Sequence, residues 1–287
     1  MTNTAMSARF AESDFRIGRV ISQSASVLTG NFPTLFLIGV ITYLPIQLAA
    51  LWFTGLTRGG ALPPGVSPAQ IGIAAIVFVF VLILFSLFSQ AVILHASFQS
   101  MRNQPASISG SLKVGLRRFL PLLLLGLVMI VLMALLMALV VVAVSMAAGL
   151  TVGISGNTAY VATIVGAILG LATSALLYTM WFVAVAACVV ERRGPFAAMG
   201  RSNQLTKGHR WKIFGLLILL ILVSVLAALL IGLILTPLGS TILTFIVNVV
   251  WSAIWGAYYA TAVAVSYHDL RVAKEGVDIE QIASVFD

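Results

Sequence analysis

Six long apolar runs, separated alternately by short uncharged turns and by basic connectors with helical patterning, set the plan of the chain. From Asp14, residues Ile17, Val20, Ile21, Ser24 and Leu28 recur at helical spacing, while Arg16, Arg19, Ser22, Gln23 and Ser26 take the other side. That pattern predicts an amphipathic helix in the membrane interface, N-capped by Asp14 or Ser13 and ended by Gly30 and Asn31. Phe32 and Pro33 open a first span to about Leu56, which Pro45 is expected to kink but not end. A turn from Thr57 to Pro68 follows, carrying Pro63, Pro64 and the charge of Arg58. The second span, about Ala69 to Phe98, exceeds the roughly 20 residues a bilayer needs, so it must tilt or project.

The same unit recurs twice. Beyond Arg102 and Pro105, residues Ile108, Leu112, Gly115, Leu116 and Phe119 share one helical face, away from Lys113 and Arg117. Spans from about Leu120 to Ala148 and from about Thr158 to Val190 then flank a charge-free turn, Gly149 to Asn157. The third connector, Glu191 to Trp211, has Pro195 where a helix would start and Gly208 where it would stop. It leads to spans from about Trp211 to Leu235 and from about Ser240 to Tyr267. Phe32, Phe119 and Trp211 each stand at the start of an odd-numbered span, 87 and 92 positions apart.

The expectation is an all-α polytopic membrane protein with six transmembrane helices in three hairpin repeats, each prefaced by an interfacial amphipathic helix. The repeat units are 14–100, 105–190 and 195–268 of a single membrane domain, 1–287, with a tail at 269–287. Equal insertion of the units implies a pseudo-axis along the membrane normal. The alternative is that basic and aromatic residues merely mark the interfaces, as they do in any six-span protein. In the tail, Ile279, Ile282 and Phe286 line one side of a short acidic segment expected to fold back on the connectors or to dock a partner.

Composition excludes an ordinary soluble domain: 61% of residues are hydrophobic, 8% are charged, and the mean hydropathy is +1.11. A net charge of +8 would suit nucleic acid, but the basic residues cluster beside apolar spans, so no nucleic-acid partner is expected. Every Lys and Arg except Arg58 falls on one side of the predicted spans, which places both termini in the cytoplasm. Residues 1–30 do not read as a signal peptide, because the apolar segment that follows is too long and lacks a small-residue cleavage site. Cys188, the single cysteine, excludes an internal disulfide and reads as an inert buried thiol.

Candidate chemistry is sparse. No Asp, Glu, Lys or Arg lies in the interior of any predicted span, which disfavours proton relays and ion-coupled transport. Gln47, Gln90 and Asn248 are the intramembrane polar contacts, expected to hydrogen-bond between helices. Ala162, Gly166, Gly170 and Ser174 on one span, and Asn248, Ser252, Gly256 and Ala260 on another, recur every four positions as helix-packing faces. Trp251, Trp255, Tyr258 and Tyr259 crowd the sixth span for packing or interfacial anchoring. His95, His209 and His268 form no metal-binding spacing, and no nucleotide-binding glycine motif or catalytic triad order is present. No catalytic residue, metal or cofactor is therefore expected. The basic connector holds Arg192, Arg193, Arg201, Lys207, Arg210 and Lys212, six of the sixteen basic residues. These are candidate contacts for anionic-lipid phosphates, with topology enforcement as the alternative.

The segment Glu191-Arg192-Arg193-Gly194-Pro195, with Arg201-Ser202 and Leu205-Thr206-Lys207-Gly208, resembles bacterial proteins labelled as the membrane domain of glycerophosphoryl diester phosphodiesterases. So do Tyr267-His268-Asp269-Leu270-Arg271 and Lys274-Glu275-Gly276-Val277-Asp278, and YciC-like inner-membrane proteins are similar too. The soluble barrel that carries the chemistry in fused relatives has no counterpart here, so the resemblance implies an inner-membrane module and not an esterase. The leading expectation is a non-catalytic module that binds lipid, or supports an envelope or transport assembly, through a basic cytoplasmic face. Its partners would be membrane lipids, anionic ones among them, and a membrane protein or a second copy of the chain. A transporter or channel for a neutral or amphiphilic substrate is the alternative, and an intramembrane enzyme the third. A water-filled cavity lined by Gln47, Gln90 and Asn248 would favour transport; a solid core with lipid at Arg201, Lys207 and Arg210 would favour the module.

Overall fold

The computed structural model describes residues 15–57, 67–102, 104, 106–152 and 156–275, which form ten helices and, among them, no strand. The order is α1 (Ile17–Gly30), α2 (Phe32–Thr57), α3 (Pro68–Met101), α4 (Ile108–Arg117), α5 (Phe119–Val152), α6 (Gly156–Trp181), α7 (Ala184–Val190), α8 (Pro195–Thr206), α9 (Arg210–Leu235) and α10 (Thr241–Glu275). Six helical stretches, with α6 and α7 counted as one, are long and apolar enough to cross a membrane. The protein is thus all-α and polytopic. In hydrocarbon every backbone N–H and C=O must be satisfied within the chain, and uninterrupted helices do that. α10 has 35 residues and extends about 50 Å at 1.5 Å per residue, well beyond a hydrocarbon core of roughly 30 Å.

The core lies at one end. Residues 91–98 of α3, 182–190 through α7 and 260–270 of α10 are buried at every position. Their sequences are rich in Ala, Val and Ser, so the backbones come close, and Ser97 and Thr261 hydrogen-bond across the α3–α10 contact at 2.9 Å. The opposite halves of the spans present Leu, Ile, Val and Met outward. α1 lies against the buried end through Val20, Ser24 and Leu28, with Ile17 reaching Gly215 at the start of α9.

The structure departs from the expected boundaries at four places. α1 begins at Ile17 with Arg16 at its cap position and no side-chain cap; Ser13 and Asp14 lie outside the described residues, as do Arg58, Pro63, Pro64 and 276–287. α5 continues to Val152 and α6 starts at Gly156, so most of the expected turn from Gly149 to Asn157 is helical. On α4, Ser111 and Gly115 are the buried positions, because a small residue at 115 lets the helix close on Phe88 and Val92, and Leu116 points away. The fourth span breaks at Phe182–Val183. Met180 O, beside the break, accepts hydrogen bonds from Ser202 (2.8 Å) and Thr206 (3.4 Å) of α8, which meet a helix-end carbonyl.

The order of one short helix followed by two long ones occurs three times, but the three long pairs do not pack alike. α2–α3 and α5–α6 are close along their lengths, whereas α9 touches α10 only briefly and α10 packs instead on α2, α3 and α1. α2 and α10 approach backbone to backbone: a Cβ added at Gly39 would lie 2.7 Å from Ala253 O and 3.1 Å from its Cα. Backbone cannot step aside as a side chain can. Gly39→Ala should therefore force α2 and α10 apart and cost about 1–3 kcal/mol, read as a lower melting temperature in detergent. Gly232→Ala, with nothing within 4 Å of the added methyl, should leave it unchanged or slightly raised.

Candidate functional site

The connectors and the end of α10 meet around Glu191. This residue caps α7, and its carboxylate accepts hydrogen bonds from Arg193 Nε (2.6 Å), Arg201 Nε (2.7 Å) and Tyr267 Oη (2.8 Å). Arg201 also pairs through Nη2 with Glu275, which takes a second bond from Arg271 Nε at 3.1 Å. The Arg271 guanidinium lies 5.9 Å from the centre of the Tyr267 ring. Local geometry makes the cluster possible. Arg192 adopts a left-handed φ of 52°, reversing the chain just after Glu191, and Pro195 starts α8 in its first turn, so Arg201 projects back toward α7. Burial alone would push the Glu191 carboxyl up; the bonds from Arg201 and Tyr267 and the charges of Arg201 and Arg193 outweigh it and hold it below the usual carboxylate range. Burial likewise disfavours the charged Arg201, but its two carboxylates more than compensate.

The sequence candidates separate into distinct environments. Arg201 is an internal cross-link, its side chain 15% exposed and engaged by two carboxylates. Arg193 is half-exposed beside Glu191. Arg210 donates from Nη2 to Asn203 Oδ1 at 2.5 Å, while its Nε is buried without a protein acceptor. Arg192 and Lys207 are exposed, and Lys212 is partly buried on the first turn of α9. Among the described residues there are fourteen Lys and Arg and only three carboxylates. Two of those, Glu191 and Glu275, are consumed in the one network, and the third, Asp269, lies 3.4 Å from His268 Nδ1. Ser266 Oγ, His268 Nε2 and Asp269 Oδ2 are buried without a protein partner, the kind of atoms that buried water ordinarily meets. The described residues include no group of three or more His, Cys, Asp or Glu able to hold a metal ion.

The intramembrane polar candidates do not converge. Gln47 donates from Nε2 to Ser252 Oγ (2.5 Å) and Asn248 O (3.4 Å), joining α2 to α10, and Asn248 Nδ2 donates to Thr244 O within α10. Gln90 faces a separate crevice of about 470 Å³ between α3, α5 and α6. Of the small residues, Gly166 and Gly170 sit against Val141 and Met137 of α5, Gly256 sits under the Tyr43 ring, and Ser174 lines crevices rather than a helix contact. Sequence reasoning missed the roles of Glu191, Tyr267, Arg271 and Glu275. The available signal was the scarcity of carboxylates: a chain this basic places a Glu against a buried run only if cations come to it.

Residues 15–270 match one family model, described as Domain of unknown function (DUF7847). No curated protein and no solved structure matches the chain.

Two outcomes follow from the network. Arg201→Met leaves Glu191 and Glu275 without their shared cation and should lower stability by about 1–3 kcal/mol, seen as a drop in melting temperature. A carboxyl held below its unfolded pKa stabilises above that value, about 4.3 for Glu, and the stabilisation is lost as pH falls through the folded pKa. Melting temperature should therefore fall as pH drops below about 4.3, and Glu191→Gln should flatten that fall while lowering the plateau at neutral pH.

Proposed function

The chain belongs to the family described as Domain of unknown function (DUF7847), and we propose that it is a non-catalytic module of the bacterial inner membrane that binds anionic lipid through a basic, cytoplasmic face. The observation that carries this is the excess of cations gathered at the end of the bundle where apolar side chains also stand outward. Phe196, three residues after Arg193, and Trp211, next to Lys212, are 74% and 77% exposed, as expected of anchors at a headgroup level. A cytoplasmic leaflet is anionic, and the positive-inside rule puts this end there. Arg201, held by two carboxylates, leaves the set of lipid contacts; Arg192 and Lys207 are exposed, Arg193 is half-exposed beside Glu191, and Arg210 and Lys212 complete the set.

The short-long-long order of the helices supports three repeat units, 14–100, 105–190 and 195–268, each bringing a connector helix to the same face. The resemblance to glycerophosphodiesterase membrane domains accords with a module that handles lipid without hydrolysing it. The transport alternative needed Gln47, Gln90 and Asn248 on one path; Gln47 and Asn248 are instead held together as a clasp while Gln90 lies apart, which favours the lipid reading.

Each basic residue near an anionic surface contributes about 1 kcal/mol, so replacing three should matter. The combined variant Arg192→Ala, Lys207→Ala and Lys212→Ala should retain phosphatidylglycerol at least about tenfold less than the wild type, measured by native mass spectrometry after detergent exchange. Retention equal to wild type would reduce the connector to a topology signal.

A further inference from the structure

The third long pair is open where the other two are closed. Between α9 and the α5–α6 pair, with α10 at its back, runs a crevice of about 680 Å³. On the other side of the α9–α10 contact, toward α1, lies a smaller one of about 340 Å³; Leu220 and Trp255 stand between the two and border both. The larger crevice is apolar apart from Ser174, Ser224 and the mutually hydrogen-bonded hydroxyls of Tyr178 and Tyr259, 2.8 Å apart. Along α9 it extends from Phe214 to Val225, about 16 Å at 1.5 Å per residue. That is about half of a roughly 30 Å hydrocarbon core, the depth of one leaflet. At its end, one turn before Phe214, stands Arg210, whose buried Nε has no protein acceptor. Trp211, the exposed aromatic beside it, marks the headgroup level.

We infer that this crevice binds a single phospholipid from the leaflet on the basic side, one acyl chain lying between α6, α9 and α10 and the phosphate beside Arg210. The inference rests on the lipid reading above and narrows it from a charged surface to a defined site. The chemistry agrees on three counts. The length fits one leaflet, the walls offer a chain dispersion contacts without a polar demand, and Arg210, one turn beyond the Phe214 end on α9, supplies a guanidinium cation for a headgroup phosphate.

The test uses the full-length protein in nanodiscs containing phosphatidylglycerol or phosphatidylcholine with a photoactivatable diazirine at mid-chain, followed by mapping of the adducts. The expected result is labelling concentrated on the α6 and α9 walls, saturating at one lipid per chain. It should fall at least fivefold in Ser224→Trp or, from the opposite wall, Ala175→Phe. Labelling spread evenly over the outward faces of α3, α5 and α9 in the wild type overturns the site, with no variant needed. So does undiminished wall labelling in folded variants. Because both lipids carry a phosphate, equal wall labelling by the two supports the crevice while overturning the preference for anionic lipid, so the two readings fail separately.

Discussion

Hydrocarbon gives these helices no hydrophobic reason to associate, since lipid tails are as apolar as Leu, and cohesion must come from close packing and buried hydrogen bonds. The protein meets that demand most fully at one end. Residues 91–98, 182–190 and 260–270 are buried all round, rich in Ala, Val and Ser, and locked by Ser97–Thr261 and by the hydroxyls of Ser202 and Thr206 on Met180 O. The rest of the architecture follows from this. The breaks and connectors sit at the packed end because exposed, irregular backbone is tolerated there, by water and headgroups, and not in the hydrocarbon.

Charge is arranged on the same frame. With fourteen cations and three carboxylates among the described residues, repulsion would splay the connectors unless some charge were neutralised internally. Glu191 and Glu275 do this through Arg201, which joins the end of α7, the middle of α8 and the end of α10. One partly buried arginine thus fixes three elements, while Arg192 and Lys207 stay exposed. This explains why two residues of one connector, Arg201 and Lys207, alike in sequence terms, differ so much in role.

The six spans and the identity of the basic end were legible because they depend on run length and charge placement, which the chain displays directly. The helix breaks were not: Trp181-Phe182-Val183-Ala184 carries no Pro or Gly, and the interruption is settled by hydroxyls twenty or more residues later. Which parts of the spans are buried was hidden for a related reason. Hydropathy is high for lipid-facing and protein-facing residues alike, and the distinguishing sign is small and polar composition, as in the buried Ala260-Thr261-Ala262-Val263-Ala264-Val265-Ser266 against the exposed Ile221-Leu222-Val223. The charge network escaped because Glu191 and Arg201 are ten residues apart, and α10 brings Tyr267 and Glu275 to them only through tertiary packing.

The open third pair follows from where α9 finds its packing. α9 is held by Ile213, Leu216, Leu217 and Leu220 near its start, and beyond Leu220 its side chains face outward almost without interruption until Leu235. The α10 residues that line the crevices beside α9, among them Trp251, Ile254, Trp255, Tyr258 and Tyr259, are bulky, and Trp251 and Trp255 stack on each other at 5.6 Å. In water such a gap would collapse, because apolar walls gain by meeting. In a bilayer the walls gain equally from lipid, so the separation costs nothing provided the space is filled, and the cation of Arg210, one turn beyond the crevice end on α9, favours an occupant whose headgroup carries a phosphate.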